Sequence, residues 1–409
     1  MSDKLKYELR GVSASKSEVH AAIKGLDKGL FPTAFCKILP DVLSGADDHV
    51  NIMHADTAGT KTSLAYMYWK ETGRSEIWEG IVQDSIVMNI DDMACVGCVD
   101  NIILSSTIGR NKNLIPGEVI KTIIHGAKKF VDQMRAEGVN MHLSGGETAD
   151  VGDIVRTLDV GFTTFARMAK KDLIVNKISD GNVIVGFSSS GQTTYEERYN
   201  SGIGSNGLTS ARHDVLDKSH LVKYPDSYDS NTPEVVLYNG TRKLTDNYEL
   251  EGREYVVGDL LLSPTRSYLP VLKEVLSKHH QDISGIIHCT GGAQTKVLKF
   301  TEQVHIIKDD LFEIPPVFRL IQEEADTPLR EMYQVFNMGH RMEIYCSESA
   351  AASIIAIANN FELDAKIIGT VEKSDSNKLS LTGADGKICL LYTSPSPRDA
   401  TLSRMPSSA

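Results

Sequence analysis

The chain has 409 residues, 41% hydrophobic and 24% charged, a composition typical of a globular protein and not of a disordered or fibrous one. Its 43 Lys and Arg residues against 54 Asp and Glu residues give a net charge of −11, which argues against a nucleic-acid partner. The longest apolar run, residues 350–358, is too short to span a bilayer, and the N-terminus carries mixed charges with no apolar stretch behind them. We therefore expect a cytoplasmic protein with no membrane partner.

The first half of the chain alternates predicted strands and helices. Apolar residues spaced by three and four predict a helix over 77–94, and a second helix begins after Pro116 and ends near Gly138. Strands are predicted at 51–55, 99–106, 140–143 and 158–167.

The second half repeats the alternation and includes a long polar stretch over residues 217–256. Strands are predicted at 182–187 and 285–288, and helices at 207–216 and 268–278. We place a domain boundary near Lys171, which gives two α/β domains, 1–171 and 172–388. Residues 389–409 are rich in Ser and Pro, lack hydrophobic periodicity and look like non-native sequence, so we expect them to be a disordered tail.

Three glycine-containing turns are predicted where strands end: residues 56–61 (DTAGTK), 144–148 (SGGET) and 290–292 (TGG). Glycine lets backbone amides approach an anion, and carboxylates beside such turns are hard ligands for Mg²⁺. Each turn alone is equally compatible with an ordinary connection between a strand and a helix.

Further candidates lie near these turns. Asp56, Glu147 and one member of the pair Asp91 and Asp92 would form an acidic Mg²⁺ cluster, but helical periodicity does not choose within the pair. Lys61 would contact phosphate. His288, which ends a predicted strand, is a candidate acid, base or phosphate ligand, with a structural hydrogen-bonding role as the alternative.

Two common nucleotide-binding motifs are excluded. Residues 202–207 match GxGxxG, but the preceding predicted strand ends about fifteen residues earlier, so the context of a dinucleotide-binding fold is missing. No GxxxxGK[ST] is present. The C-x-x-C formed by Cys95 and Cys98 has no second ligand pair, so we expect small buried thiols.

Taken in order, the motifs resemble the phosphoribosylformylglycinamidine cyclo-ligase (aminoimidazole ribonucleotide synthetase) family, whose fold is shared with selenophosphate synthetase. Besides the three turns, the resemblance rests on segments in the second half: SSG at 189–191, SNG at 205–207, LSPTR at 262–266, EMYxxFNxG at 331–339 and IG at 368–369.

The resemblance implies a two-domain α/β fold in which the N-terminal strands of two subunits form a barrel-like homodimer core. It implies ATP and Mg²⁺ as cofactors, formylglycinamidine ribonucleotide as substrate, and cyclisation through an iminophosphate. The implied catalytic residues are Asp56, Lys61, Asp92 and His288, with Asp56, Asp92 and Glu147 as metal ligands. The implied nucleotide-binding residues are Gly59, Thr60, Gly145, Gly146, Glu147 and Thr148. The implied substrate-binding residues are Ser190, Gly191, Asn206, Gly207, Thr290, Gly291 and Gly292.

The sequence departs from the family pattern in the second half. A continuous SSGxHSNG loop is interrupted by residues 192–204, and Gly204 stands where the family has His. Gly339, His340 and Arg341 replace a more usual GxG, and the 217–256 stretch is additional.

Two alternatives remain open from the sequence. One is another ATP-dependent enzyme of the same fold, such as a selenophosphate synthetase-like protein, although residues 1–35 contain no reactive Cys. The other is a non-catalytic nucleotide-binding paralogue.

Overall fold

A computed structural model describes residues 6, 8–12, 22, 23 and 25–383, together with the backbone of 388–393. Between residues 25 and 169, the described strands and α-helices are β1 (Ile38–Pro40), β2 (His49–Thr57), α1 (Lys61–Thr72), α2 (Ile77–Ala94), β3 (Ile102–Arg110), α3 (Gly117–Ala136), β4 (Met141–Asp150) and β5 (Leu158–Ala169). The strands form one sheet in the order β1-β2-β5-β3-β4, in which only β3 and β4 are parallel.

One face of this sheet is covered by helices. Alternating residues of β2 point to that face, and α2 packs on β2 and β5. Helix α2 is buried on nearly all sides, whereas α3 outside it buries one stripe, including Ile123 and Phe130, as its periodicity predicted. Each such side chain contributes about 1.5–3 kcal/mol by leaving water.

The second half is built on a seven-stranded sheet in the order β14-β13-β10-β12-β6-β11-β9. Its elements are β6 (Val183–Ser188), α4 (Leu208–Val215), α5 (Ser219–Lys223), β7 (Asn247–Leu250), β8 (Arg253–Val256), α6 (Val257–Leu262), α7 (Leu269–His279), β9 (Ile283–His288), β10 (Val304–Lys308), α8 (Pro316–Ala325), α9 (Leu329–Val335), β11 (His340–Cys346), α10 (Glu348–Asn360), β12 (Ala365–Lys373), β13 (Lys378–Thr382) and β14 (Ile388–Thr393). Strand β11 is buried along its whole length, and α7 and α10 pack together beside the sheet.

Most predicted elements occur near their predicted positions, with three differences. Strand β4 continues through residues 144–148, so this segment is an edge strand and not a turn after a strand. Its glycines hid the strand, because glycine is unfavourable in strand interiors. The 217–256 stretch is ordered and contains α5 and the β7–β8 hairpin, and Tyr238 within it is fully buried.

The structure differs in part from the prediction of a disordered tail. Residues 389–393 belong to β14, which pairs with β13, so the expected disorder does not apply to them. Residues 394–409 lie outside the described part of the chain. Among the described residues, no helix combines the length and apolar character needed to cross a membrane.

Candidate active site at the domain boundary

Four buried side chains meet where the two halves of the chain touch. His54 and Asp56 lie two residues apart on β2 and so point to the same face of the strand. Asp92 lies in the last turn of α2, and His288 is the last residue of β9. With Lys296 they form what we name the boundary cluster, and each member is at most 5% exposed.

Asp92 is the centre of the boundary cluster. Its Oδ1 lies 2.7 Å from His288 Nδ1, a contact that joins the two halves of the chain. Its Oδ2 lies 3.3 Å from His54 Nε2, without hydrogen-bond geometry. The other nitrogen of His54, Nδ1, lies 2.9 Å from Asn89 Oδ1, one helical turn before Asp92. The Asp92 carboxylate therefore orients the His288 imidazole, whereas Asn89 orients the imidazole of His54.

The two carboxylates of the cluster have opposite pKa shifts. Burial and, to a smaller extent, the negative charge of Asp92 together raise the pKa of Asp56 to about 6, against the opposing effect of the Thr57 amide. Burial also acts to raise the pKa of Asp92, but Lys296, His288 and His54 outweigh it and hold that pKa well below its ordinary value. Asp92 is thus a permanent anion, whereas Asp56 is poised to exchange a proton or a cation.

His288 is held as a neutral base. Burial lowers its pKa to about 4, and Arg341 and Lys296 act in the same direction against the opposing effect of Asp92. The neutral ring donates Nδ1–H to Asp92, which leaves the lone pair of Nε2 as an acceptor. Among the described residues, Nε2 of His288 has no hydrogen-bond partner. The arrangement matches that of a general base oriented by a carboxylate.

His54 and Lys296 were not predicted from the sequence. His54 could have been found from its spacing. It lies two residues before Asp56 on the same strand, so the two side chains point to the same face. Burial acts to lower its pKa, but Asp92 and Asn89 reverse the effect and raise it. Lys296 donates its ammonium to Thr290 Oγ1 at 2.7 Å and lies 4.7 Å from the centroid of the Phe35 ring. Only the three-dimensional fold brings this lysine to the carboxylates.

The structure separates the roles of the two consecutive aspartates. Asp91 Oδ1 accepts from Ser267 Oγ at 2.7 Å, and its Oδ2 accepts from the Tyr268 amide at 3.2 Å. Asp91 therefore holds the start of α7, whereas Asp92 faces the boundary cluster.

Lys61, predicted to contact phosphate, is bonded within the protein. Its ammonium is fully buried and donates to Asp84 Oδ1 at 2.8 Å and to the Ser263 carbonyl at 2.6 Å. Burial lowers its pKa, and Asp84 opposes the shift. In this structure Lys61 joins the two halves of the chain, and the predicted phosphate role has no geometric support.

Glu147 is likewise outside the boundary cluster. It is exposed on edge strand β4, three strands away from β2, or roughly 14 Å at ~4.8 Å per strand. Gly146 is required by packing, because a Cβ there would lie 2.2 Å from the Ser106 carbonyl oxygen. Gly145 and Thr148 lie on the same exposed strand. One protomer thus brings together Asp56 and Asp92 but not Glu147.

The turn after β2 has its predicted form. Gly59 has a φ of +60°, and its amide donates to Thr57 Oγ1. Thr60 Oγ1 lies 2.7 Å from Thr209 Oγ1 of α4, so this turn also touches the second half of the chain.

The predicted substrate residues fall into three groups. Asn206 and Thr290 line a small cavity beside the boundary cluster. Gly207 and Gly292, both with positive φ, precede α4 and a 3₁₀ turn, and Gly291 lies beside Gly292. Ser190 and Gly191 are structural in this state, since the Ser190 carbonyl accepts from Arg266 and Gly191 pairs with Asn200.

A second buried group contains metal-ligating residue types. Atoms of Cys289, His340 and Glu343 lie within 4.8 Å of one another. However, the ammonium of Lys308 is already hydrogen-bonded to Glu343 Oε1 and balances its charge. This group is therefore a structural network.

The fold and the boundary cluster define a family. Residues 39–168 match the N-terminal domain, and residues 179–382 the C-terminal domain, of the AIR synthase related proteins. The chain belongs to this family, which confirms the resemblance and the two-domain α/β fold drawn from the motifs.

Individual relatives agree with the assignment. The chain is 29% identical over 329 residues to a phosphoribosylformylglycinamidine cyclo-ligase of Methanocaldococcus jannaschii, covering 80% of this chain and 79% of the relative. It is 25% identical over 386 residues to the protein of that name from Alkaliphilus metalliredigens, covering 90% and 95%.

Solved structures support the fold alone. Phosphoribosylformylglycinamidine synthase II from Thermotoga maritima has a TM-score of 0.52 at 12% identity, with 95% of this chain and 50% of that chain covered. A HypE–HypF complex chain also gives 0.52 at 12% identity, covering 94% and 100%.

Proposed function

We propose that the protein is a phosphoribosylformylglycinamidine cyclo-ligase. It closes the imidazole ring of aminoimidazole ribonucleotide from formylglycinamidine ribonucleotide, in de novo purine biosynthesis, and converts ATP to ADP and phosphate. The family membership and the names of the relatives support the reaction class. The local chemistry of the boundary cluster supports the assignment of residues.

The observation that carries the proposal is the contact between Asp92 and His288 beside Asp56. It places a permanent carboxylate, a carboxyl group with a raised pKa and a neutral imidazole in one buried place at the domain boundary. Purely structural buried carboxylates are normally saturated with hydrogen bonds. Here Asp56 Oδ2 and His288 Nε2 lack partners among the described residues, which favours a ligand.

Mg²⁺ fits the donor set. Carboxylate oxygens are its preferred protein ligands, and Asp56 Oδ2 is buried without a donor to balance its charge among the described residues. Asp56 and Asp92 would hold the ion, which would neutralise charge on the transferred phosphoryl group. Glu147 is not assigned to this ion within one protomer.

The proposed reaction has two steps. The formyl oxygen of the substrate attacks the γ-phosphorus of ATP, which forms an iminophosphate and releases ADP. A nitrogen of the amidine then attacks the former formyl carbon, and the C–O bond to phosphate breaks. His288 Nε2 accepts the proton that this nitrogen loses. The turn after β2 and the Thr290 turn position the two reactants, since phosphoryl transfer depends mainly on positioning and charge neutralisation.

The proposal includes a homodimer. The face of the first sheet opposite α2 exposes Met53 (60%) and Ile103 (43%) on neighbouring parts of the sheet. An uncovered apolar sheet face favours an interface, and the family resemblance implies one between copies of this domain. Glu147 and the Gly145–Gly146 segment would then lie at the subunit interface.

The test is ADP release measured with and without formylglycinamidine ribonucleotide and with and without Mg²⁺. We expect turnover only when ATP, Mg²⁺ and this substrate are all present. Asp56→Asn should abolish it, and Asp48→Asn, at an exposed position of the same domain, should not. Binding of ATP without substrate-dependent ADP release would instead indicate a non-catalytic nucleotide-binding protein.

A further inference from the structure

Two departures from the family pattern meet in one cavity. Gly204 stands where the family has His, and Arg341 lies in the segment that replaces GxG. Both line the small cavity between α2 and the second domain, together with Met88, Asn206, Cys289 and Thr290. Gly204 and Arg341 are far apart in sequence, and only the fold brings them to the same cavity.

Arg341 is buried with unused hydrogen-bonding capacity. It is 1% exposed, and its Nε and Nη1 have no hydrogen-bond partner among the described residues. Its Nη2 donates to the Arg266 carbonyl at 2.6 Å, and the guanidinium lies 5.4 Å from the Tyr268 ring centroid. These contacts fix the group but leave the remaining donors without a protein partner, and such buried donors are normally satisfied by a water, an ion or a ligand.

A β-bulge sets the direction of this side chain. The register between β11 and β6 shifts between His340 and Met342, so Arg341 is the extra residue of the bulge. Bulges redirect side chains and are common next to active sites.

The surroundings favour an anion. No Asp or Glu is among the described residues that line the cavity. The nearby carboxylate of Asp91 accepts from Ser267 and Tyr268, and it faces the charge of Arg341 without a hydrogen bond to its Nε or Nη1. Asn206 and Thr290 add polar groups, and the N-terminus of α4 begins directly after Gly207. A guanidinium with several free donors matches the geometry of phosphate oxygens.

The cavity adjoins the boundary cluster. Met88 precedes Asp92 by one helical turn, so both lie on the same side of α2. Cys289 and Thr290 directly follow His288. A group bound at Arg341 would therefore be held beside the proposed reacting centre.

We propose that Arg341 binds a phosphate group of a reactant at this cavity, through the guanidinium donors that have no partner among the described residues. This inference rests on the proposed function. The phosphate is either the ribose 5-phosphate of formylglycinamidine ribonucleotide or a phosphate of ATP, and the kinetic test separates these sources.

The test compares Arg341→Gly with the wild type. Loss of a charged, multidentate contact should raise one Michaelis constant roughly 10- to 100-fold. A rise in KM for formylglycinamidine ribonucleotide alone assigns the ribose phosphate, and a rise in KM for ATP alone assigns the nucleotide. Calorimetric titration of ribose 5-phosphate and of inorganic phosphate provides a measurement that does not depend on turnover. Binding of both should weaken in Arg341→Gly.

A double variant restores the family pattern. A Cβ added at Gly204 would meet no atom within 4 Å, and the φ of this residue lies outside the left-handed region, so the backbone at Gly204 accepts a side chain in Gly204→His. Adding it to Arg341→Gly should recover at least part of the lost affinity, and Arg341→Lys should recover an intermediate part. A merely structural arginine would show neither recovery.

Arg212→Gln is the matched control. Arg212 is also a buried arginine with an unbonded Nε among the described residues, but it does not line the cavity. We expect it to lower Tm without changing either KM. The inference is overturned if Arg341→Gly turns over with both constants unchanged and phosphate binding unaltered. Absence of turnover in the wild type with intact, Arg341-dependent phosphate binding would instead overturn the proposed function.

Discussion

Two buried acidic clusters in this protein contain similar residues but differ in how fully those residues are hydrogen-bonded. In the boundary cluster, Asp56 Oδ2 and His288 Nε2 lack hydrogen-bond partners among the described residues. In the second domain, Glu343 is saturated: Lys308 and His340 contact Oε1, and Tyr345 donates to Oε2 at 2.7 Å. We name Lys308, His340, Glu343 and Tyr345 the sheet cluster.

The pKa shifts record the same difference. Burial acts to raise the pKa of Glu343, but Lys308 and His340 outweigh it and lower the pKa to about 2. The pKa of Asp56 is raised to about 6 because the Thr57 amide and the nearby cations offset burial only in part. A saturated carboxylate stabilises the fold, whereas an unsaturated one costs stability and is kept for a ligand. The predictions below test this contrast.

The largest expected effect is on turnover in Asp92→Asn. Loss of the anion removes the partner that orients His288 and one of the two proposed metal ligands, so kcat should fall on the order of 10³- to 10⁴-fold. Steady-state ADP release measures it. A loss below tenfold would remove Asp92 from the catalytic site.

The largest expected effect on stability is in the sheet cluster. Glu343→Gln leaves the Lys308 ammonium buried without its counter-charge, which should lower the free energy of unfolding by about 3–5 kcal/mol. Denaturant unfolding measures it. The double variant Glu343→Gln with Lys308→Met should recover much of this loss, and a change below about 1 kcal/mol would contradict the contrast.

The same acid-to-amide change at Asp56 should have the opposite sign. The pKa of Asp56 lies at about 6 in the folded protein against 3.8 in the reference state, so ionisation costs roughly 3 kcal/mol above pH 6. Without Mg²⁺, Asp56→Asn should therefore raise the free energy of unfolding by up to about 3 kcal/mol at pH 8. The gain should disappear below pH 4, where the wild-type carboxyl is protonated in both states. Equal stabilities across this range would show that Asp56 is not strained by burial.

The smallest expected effect concerns cation binding. Because Asp56 must lose its proton to ligate Mg²⁺, affinity should fall by up to about tenfold per pH unit below pH 6. Titration calorimetry with MgCl₂ between pH 5 and 8 measures it. Asp56→Asn should bind weakly at every pH, and a pH-independent affinity in the wild type would point to other ligands.

Local patterns predicted local structure well. The periodic spacing of apolar residues located α2 and α3, and the DTAGTK turn was found because glycine and the adjoining strand end are short-range signals. The glycine-rich segment 144–148 was misassigned for the same reason, since its strand is defined by pairing with β3 and not by its own composition.

The site depended on contacts that the sequence does not encode locally. Lys61 has a typical phosphate-binding context, yet its partner Ser263 is 202 residues away and draws it into the core. His288 and Asp92 are both candidates from the sequence, but their 2.7 Å contact spans 196 residues. Lys296 carries no motif at all. Such placements depend on tertiary packing, which overrides local spacing.

The two consecutive aspartates of α2 have a mechanical consequence. Asp91 accepts a hydrogen bond at the start of α7. Asp92, rotated by about 100° around the helix axis, contacts the His288 imidazole at the end of β9. Separation of the two domains would break both of these contacts together. His288, the base in the proposed mechanism, would then lose the carboxylate that orients it, so the proposed site requires both halves of the chain in contact.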